Sequence, residues 1–398
     1  VGTDRRVRTA TSAFFFVQGL CFAGLLAQVP TLQRGLGISD AELTLVLLVV
    51  PVVAGVGSVL AGHLAPRTGS AVLLRTAGPL VALAVLATAF APSAALLYPV
   101  VAVVGLLLGV VDATMNMQGV AVQRRYGRSL LNSFHGWWSV GGILGALAAV
   151  LAHSLDWSLV AGLALVATTG AVLDLAAGSS LDGAADGPAP TPGQVSDDAP
   201  SVLVPWRPVL LVGVAVAIVY LADSAVSSWS TKYVEDVLSG PDAVAPLGLA
   251  AYLGCQLVGR LVADHLVDRA GPVPTVVGGG GVGAAGLALV AVAPAPWVAV
   301  IGFGATGLGL SVVVPLAFSV AGALDRTGVA VARVNLFNYV GFVLGAAVVG
   351  GVAELTSLRW AFAVPAVLAL GVVALAPAFR PVPATAPGLP EVQRTPPG

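Results

Sequence analysis

The sequence predicts an all-α membrane protein with twelve transmembrane helices in two six-helix, pseudo-symmetric bundles. Three observations predict it: the scarcity of charge, twelve apolar runs of spanning length, and an internal repeat that relates the two halves. Of 398 residues, 57% are hydrophobic and 9% charged. A soluble domain averages about 25% charged residues and needs them to cover its surface. A chain surrounded by lipid has no such need, so a lipid bilayer is the expected environment. The net charge of −1 implies no polyanionic partner, and no nucleic acid is expected. Cys21 and Cys255 both lie inside apolar runs and read as small core residues.

A helix needs about 20 apolar residues to cross the hydrocarbon core. The first run, 10–30, follows Arg5, Arg6 and Arg8, a layout shared with signal peptides. Another apolar run begins at Leu43 with no soluble domain between, so the first is read as a retained helix. The second run, 41–63, ends at the turn 66–70; the third, 71–91, at 91–93; the fourth, 96–122, at the basic stretch 124–128. Runs 130–153 and 156–178 complete one half. The other half holds 206–230, 243–265, 272–293, 296–322, 329–353 and 357–378, with breaks at 268–271, 294–296 and 325–328. Between them, 179–205 carries Asp182, Asp186, Asp197 and Asp198 among Pro, Gly, Ala and Ser, the composition of a flexible solvated linker. The expected plan is an N-terminal bundle 1–178, a cytoplasmic linker 179–205, a C-terminal bundle 206–380 and a disordered cytoplasmic tail 381–398.

Orientation follows from Lys and Arg. With the N-terminus in the cytoplasm, only Arg34, Lys232 and Arg359 of the 18 basic residues fall outside. The other fifteen, Arg260 among them, fall inside, and both termini are expected to be cytoplasmic.

The repeat appears at a fixed offset. GSVLAGHLAPRTG (57–69) shifted by 202 residues meets GRLVADHLVDRAG (259–271), aligning Gly57, His63, Leu64, Arg67 and Gly69 with Gly259, His265, Leu266, Arg269 and Gly271. GLLLGVV (105–111) meets GLGLSVV (307–313). At an offset of 203, Asn132, Phe134 and Gly142 meet Asn335, Phe337 and Gly345, and His135 falls on Asn338. A parallel six-helix duplication is the plan of carriers built from two rocking halves.

Few polar groups lie inside the spans, and such groups usually face a cavity or a partner. Asp112 lies about 15 Å from the end of the fourth run at 1.5 Å per residue, near the midplane. Asn116 and Gly119 share its face. Asp112 reads either as a proton-exchanging carboxyl or as a structural hydrogen-bond partner. Asp223 in the seventh run, flanked by Tyr220, Ser224, Ser227 and Ser230 at helical spacing, reads as a second titrating group, a gate or a water-exposed acid. His135 is placed near Asn116 across the hairpin centred on Tyr126, as a substrate ligand or a packing residue. Asn335, Asn338 and Tyr339 share a face of the eleventh run, as Gln256 and Tyr252 do on the eighth; amides and phenols suit a hydroxylated small molecule. Trp137, Trp138 and Trp229 read as ring-stacking groups or interfacial anchors. The glycine pairs Gly105/Gly109, Gly141/Gly145 and Gly341/Gly345 read as packing faces. The run Gly278 to Gly281 lacks the Lys of a phosphate loop. No Cys/His metal cluster, Ser-His-Asp arrangement or nucleotide fold is legible, so the reading is of a protein that is not an enzyme, with no metal, cofactor or catalytic residues.

The loop after the second run of each half resembles the major facilitator signature G-x-L-x-D-R-x-G-R. The second copy carries Asp264, Asp268, Arg269 and Gly271; the first has Pro66 in place of the acid and Ser70 in place of a basic residue. DATMNMQ (112–118), NSFHGWWSVGGILG (132–145) and ADSAVSSWSTKYVEDVL (222–238) extend the resemblance to the MosC/YbjJ-like branch of that superfamily. The fourth run is more distantly similar to that of the fucose–proton symporters. The resemblance implies a major facilitator fold, a monomer in the inner membrane, and a loop at Asp264, Asp268 and Arg269 that clamps the cytoplasmic face. It implies proton coupling at Asp112; Asp223 stands beside it as a second proton-coupling candidate from its own position in the seventh run. It also places His135 where those symporters have a cavity Asn. The acid of their first span has no match here, where Gln18 and Gln28 are the strongly polar residues. The expected substrate site is Asn116, His135, Trp138, Tyr220, Gln256, Asn335, Asn338 and Tyr339.

Three activities compete. The first is proton-coupled uptake of a small polar solute such as a sugar, polyol or related metabolite. The second is proton-driven efflux of drugs or metabolites, whose usual Arg in the fourth span and Gly-Pro element in the fifth are not matched. The third is a membrane sensor, which would carry a sizeable soluble effector domain.

Overall fold

A computed structural model describes residues 2–183, 204–241 and 244–381. Most of the linker and tail predicted above, with Asp186, Asp197, Asp198 and Arg394, lies outside the described residues. The described chain is helical throughout, and no strand occurs among the described residues. The N-terminal half contains α1 (Gly2–Leu36), α2 (Asp40–Thr68), α3 (Ser70–Ala87), α4 (Ala94–Tyr126), α5 (Leu131–Ser154) and α6 (Leu159–Gly178). The C-terminal half contains α7 (Trp206–Lys232), α8 (Leu247–Ala270), α9 (Pro272–Ala291), α10 (Pro296–Leu310), α11 (Val313–Leu324), α12 (Val329–Leu355), α13 (Leu358–Ala361) and α14 (Ala363–Leu375). Helices α10 and α11 are one span broken at Ser311 and Val312, and α13 with α14 is another.

Eleven described stretches are long and apolar enough to cross a membrane. The twelfth span, α8, is equally long but carries Arg260, Asp264, Asp268 and Arg269. The expected boundaries shift because the helices continue past the apolar runs: α1 begins at Gly2 and α4 ends at Tyr126. Local signals set the ends. Ser39 and Glu42 form a capping box at the start of α2. Gly69 (φ 88°) and Gly271 (φ 84°) make the tight turns out of α2 and α8, at equivalent positions of the repeat.

The halves use the same pairing scheme. In the first, α1 packs on α5 and α6, α4 on α2 and α3, and α3 on α6. In the second, α7 packs on α12 and α14, α10 on α8 and α9, and α9 on α14. The repeat extends to single contacts. A Cβ on Gly57 would lie 2.1 Å from the Leu106 carbonyl oxygen, and one on Gly259 would lie 2.7 Å from that of Leu308. Likewise Gly105 faces the Val50 carbonyl at 2.5 Å, and Gly307 that of Tyr252 at 2.1 Å. These seams bring backbones together where lipid supplies no hydrophobic drive for helix association.

Apolar side chains such as Leu45, Val56, Val150, Val172, Ile301 and Val367 are exposed, while Asn116, Gln118, Asn132, Asn335 and Asn338 are buried. That reversal is the arrangement a bilayer demands. Both cysteines are free: Cys21 is buried and Cys255 half-buried. The halves meet along α2–α12 and α5–α8, with further contacts of α11 to α4 and α5 and of α12 to α4.

Candidate functional site

Asp112 sits where α4 meets the other half. Its neighbour one turn on, Asn116, donates from Nδ2 to the Asp112 carbonyl at 2.8 Å and reaches Oδ1 at 3.5 Å. From α12, Tyr339 Oη donates to Asp112 Oδ2 at 2.9 Å and Asn338 Nδ2 approaches the same oxygen at 3.4 Å. The network continues through Asn338 Nδ2 to Asn335 Oδ1 (2.6 Å), Asn335 Nδ2 to Ser58 Oγ (3.1 Å) and Ser58 Oγ to the Ala332 carbonyl (3.2 Å). The i, i+3, i+4 spacing of Asn335, Asn338 and Tyr339 makes this possible. All of these donors to Asp112 are uncharged.

His135 joins from α5. Its Nε2 lies 3.2 Å from Asn116 Oδ1. The amide nitrogen of Asn116 is committed to Asp112, so Oδ1 accepts and Nε2 carries the proton. The imidazole lies between Phe15 (centroids 5.2 Å apart) and Phe318 (6.1 Å).

A second cluster surrounds Asp223 on α7. Tyr252 Oη donates to Asp223 Oδ1 at 2.7 Å, and Gln256 Nε2 reaches the same oxygen at 3.3 Å. Tyr220 lies one turn before Asp223, and Arg260 one turn after Gln256. Arg260 Nη1 donates to Ser139 Oγ on α5 at 2.6 Å, and its guanidinium stands 5.7 Å from the Trp138 ring centroid. Trp138 Nε1 donates to Gln18 Oε1 at 2.6 Å. Asp112, Tyr220, Asp223, Tyr339 and Trp138 all keep partial exposure despite lying mid-helix, and Tyr220 is within electrostatic reach of Asp112, Asp223 and Arg260, so the two clusters flank one region between the halves. Two buried atoms beside it, Asn338 Oδ1 and Arg260 Nε, have no hydrogen-bond partner.

Hydrogen bonds between the halves continue toward the end where α6 stops and α7 starts, called here the linker end. Asp264 caps the start of α5. Its Oδ1 accepts from Ser129 Oγ (2.8 Å) and Asn132 Nδ2 (2.9 Å), and its Oδ2 from Ser133 N (2.9 Å) and Ser133 Oγ (2.5 Å). Asp268 Oδ1 accepts from Ser129 N at 3.3 Å. A carboxylate on unpaired helix N-terminal amides is favourable by both hydrogen bonding and the helix dipole. Gln123 Nε2 to Ser319 Oγ (3.0 Å) and Arg124 Nη1 to the Gly322 carbonyl (2.9 Å) close the α4–α11 side.

The pseudo-symmetric seam is built differently. Gly62 takes the place of Asp264, and a Cβ there would stand 2.8 Å from that of Ala332. The start of α12 is capped by Asp325 of its own half, whose Oδ2 accepts from Ala330 N at 2.7 Å.

The structure therefore gathers Asp112, Asn116, His135, Asn335, Asn338 and Tyr339 into one network, and Asp223, Gln256, Tyr252 and Tyr220 into another, with Trp138 beside them. Asp264 and Asp268 lie in the inter-half contact. Arg269 does not: it is exposed, with no partner among the described residues. Trp137 is exposed. Sequence reasoning missed Arg260, which is 8% exposed inside α8 rather than in a loop. Its position inside the predicted run 243–265 was the available signal. Ser58, Ser139 and the role of Gln18 also went unread, because serine and glutamine in apolar runs carry no distinctive pattern.

The Major Facilitator Superfamily model matches residues 212–397. An uncharacterized MFS-type transporter of Yersinia pestis is 31% identical over 377 residues, covering 93% of this chain and 94% of the relative. Membrane protein MosC of Rhizobium meliloti is 25% identical over 377 residues, covering 92% and 88%. Among solved structures, the MFS transporter FucP in its outward conformation superposes with a TM-score of 0.78 at 15% identity, covering 94% of this chain and 98% of FucP. The proton:xylose symporter XylE gives 0.76 at 12% identity, covering 94% and 95%. The chain belongs to the major facilitator superfamily: it is a multi-pass membrane transporter and not an enzyme.

Proposed function

We propose that this protein moves a small polar solute, a sugar, polyol or related metabolite, across the inner membrane by proton symport with alternating access. One observation carries the reading: a mid-membrane carboxyl, Asp112, is held by uncharged donors at the contact between the halves. An ionised carboxylate out of water needs such donors, whereas a neutral acid loses little when they leave. Protonation therefore lowers the cost of separating Tyr339 and Asn338 from Asp112. The hydrogen bonds between the halves run from Asp112 to the linker end, which supports reading this as a carrier closed on that side. FucP and XylE, whose folds this chain shares, are a fucose:proton and a proton:xylose symporter.

On this reading Asn116, His135, Trp138, Tyr220, Gln256, Asn335, Asn338 and Tyr339 contact the solute. Asp264 and Asp268 hold the closed gate. The linker end faces the cytoplasm, and the protein works as a monomer. The test is uptake into proteoliposomes of a panel of sugars, polyols and hydroxy acids with and without an inward proton gradient. Concentrative uptake of one solute only with the gradient is expected. Gradient-independent equilibration of every solute that enters would overturn the coupling.

A further inference from the structure

Arg260 is a buried cation without a counterion in contact. It is 8% exposed in α8, and it forms no ion pair with a carboxylate among the described residues. Its single hydrogen-bond acceptor among them is Ser139 Oγ, at 2.6 Å, and Nε is buried with no partner. A charge removed from water is costly unless paired and hydrogen-bonded. An intramembrane arginine usually has a partner that can be named.

The side chain is also held in place. Ser139 fixes Nη1 from the opposite half, and the Trp138 ring lies against the guanidinium at 5.7 Å. Trp138 is itself fixed by its bond to Gln18. A guanidinium offers donors in a planar fork that matches a carboxylate or phosphate, and here most of that fork has no acceptor. The charged and titratable groups within electrostatic reach are Asp223, Tyr220, Tyr252 and His135. Asp223 accepts from Tyr252 and Gln256 through Oδ1 and forms no ion pair with Arg260.

We infer that the transported solute is an organic anion, a hydroxylated acid whose carboxylate binds Arg260 and whose hydroxyls meet the amides and phenols of the same space. The inference deepens the symport reading and rests on it for the location of the solute site. It also links the two ligands. An ionised Asp112 and Asp223 repel an incoming carboxylate, and a proton on either removes part of that repulsion, so acid and proton favour each other's binding. The cation–π approach to Trp138 and anchoring by Ser139 prepay the ordering of a long side chain.

The experiment compares matched pairs on the full-length purified protein by thermal shift: glucuronate with glucose, gluconate with sorbitol, and lactate with 1,2-propanediol. At least one acid is expected to bind tenfold or more tightly than its neutral partner. Arg260→Gln should erase that preference and Arg260→Lys should retain part of it. The wild-type comparison stands even where Arg260→Gln does not fold. Equal affinity within every pair, absence of binding by every acid, or a preference that survives in Arg260→Gln overturns the inference. Outcomes for the two readings separate. A neutral solute accumulated by a proton gradient, unaffected by Arg260→Gln, sinks the anion and spares the symport. An acid bound through Arg260 but indifferent to the gradient does the reverse.

Discussion

The Tyr339 hydroxyl donates to Asp112 Oδ2 at 2.9 Å, from α12 of one half to α4 of the other. A hydrogen bond to a charged group is worth about 1.5–3 kcal/mol. This one joins the two halves, so any separation of α4 from α12 breaks it, at a cost set by the protonation state of Asp112.

Asp112→Asn mimics the neutral acid in shape. The variant is expected to lose accumulation driven by a proton gradient while keeping solute binding and counterflow exchange. Asp223→Asn should do less, because that carboxyl is held within its own half by Tyr252 and Gln256. Proteoliposomes with an imposed pH difference separate the two. Wild-type accumulation by Asp112→Asn would make Asp112 a structural residue.

Asp264→Ala strips the start of α5 of its cap and the α5–α8 contact of its charge. An N-cap loss costs about 0.5–2 kcal/mol. The closed state should be depopulated, so a cysteine at Val120, buried against the Gly322 side of the gate, should react faster with maleimide than in the parent. The background must carry Cys21→Ala and Cys255→Ala. An unchanged labelling rate would show that Asp264 does not hold the gate.

Glycine seams give a paired stability test. A Cβ on Gly141 would lie 2.0 Å from the Phe16 carbonyl oxygen, so Gly141→Ala must push α1 and α5 apart. Overpacking of this kind costs about 1–3 kcal/mol. Gly278 has open space around its Cβ position inside α9, so Gly278→Ala should be neutral or stabilising by up to about 1 kcal/mol. Unfolding midpoints in detergent compare them, and equal midpoints would contradict the close approach.

Glu42, outside the span Leu45–Thr68, accepts from Ser39 N and Ser39 Oγ at 2.9 Å each. The backbone bond first, then the hydroxyl bond, holds its pKa below the ordinary carboxylate value. A lowered folded pKa means the capping contribution is full above the unfolded value and is lost as pH falls through the folded one. Amide exchange in the first turn of α2 should therefore speed up selectively in acid, after correction for intrinsic rates. Glu42→Gln should abolish the extra acid dependence; a parallel response in both proteins would show the box to be inert.

Topology is tested by impermeant thiol labelling in the same cysteine-free background. Lys232→Cys should react from outside intact cells and Arg326→Cys only after permeabilisation; both side chains are exposed. The opposite pattern would invert the assigned orientation.

The legible part of this molecule was what stands out against lipid-compatible sequence. An acid in an apolar run marked Asp112, and helical spacing put Asn335, Asn338 and Tyr339 on one face. The 202-residue offset even foretold contacts, since Gly57 with Leu106 and Gly259 with Leu308 are the same contact made twice. Cross-half partners were not legible. Nothing local says that Asp264 caps α5, because its donors lie some 130 residues away and are ordinary serines and an asparagine. Arg260 was assigned to the cytoplasmic side by a rule that counts basic residues without asking how far inside a helix they sit. The break at Ser311 and Val312 did have a signal: Pro315 has no N–H to bond the Ser311 carbonyl and its ring crowds that oxygen, so the helix is interrupted one turn before the proline.

An arginine paired with no carboxylate among the described residues bears on energetics at the scale of the whole cell. If the solute carries one negative charge to Arg260 and one proton travels with it, the cargo is electroneutral. The membrane voltage, worth about 2.3 kcal/mol per charge per 100 mV, then drops out of the driving force. Only the difference in pH remains, at about 1.4 kcal/mol per unit, or tenfold accumulation. Such a carrier would continue to work in a depolarised cell that had kept its acid exterior, and would stall in a polarised one that had lost it.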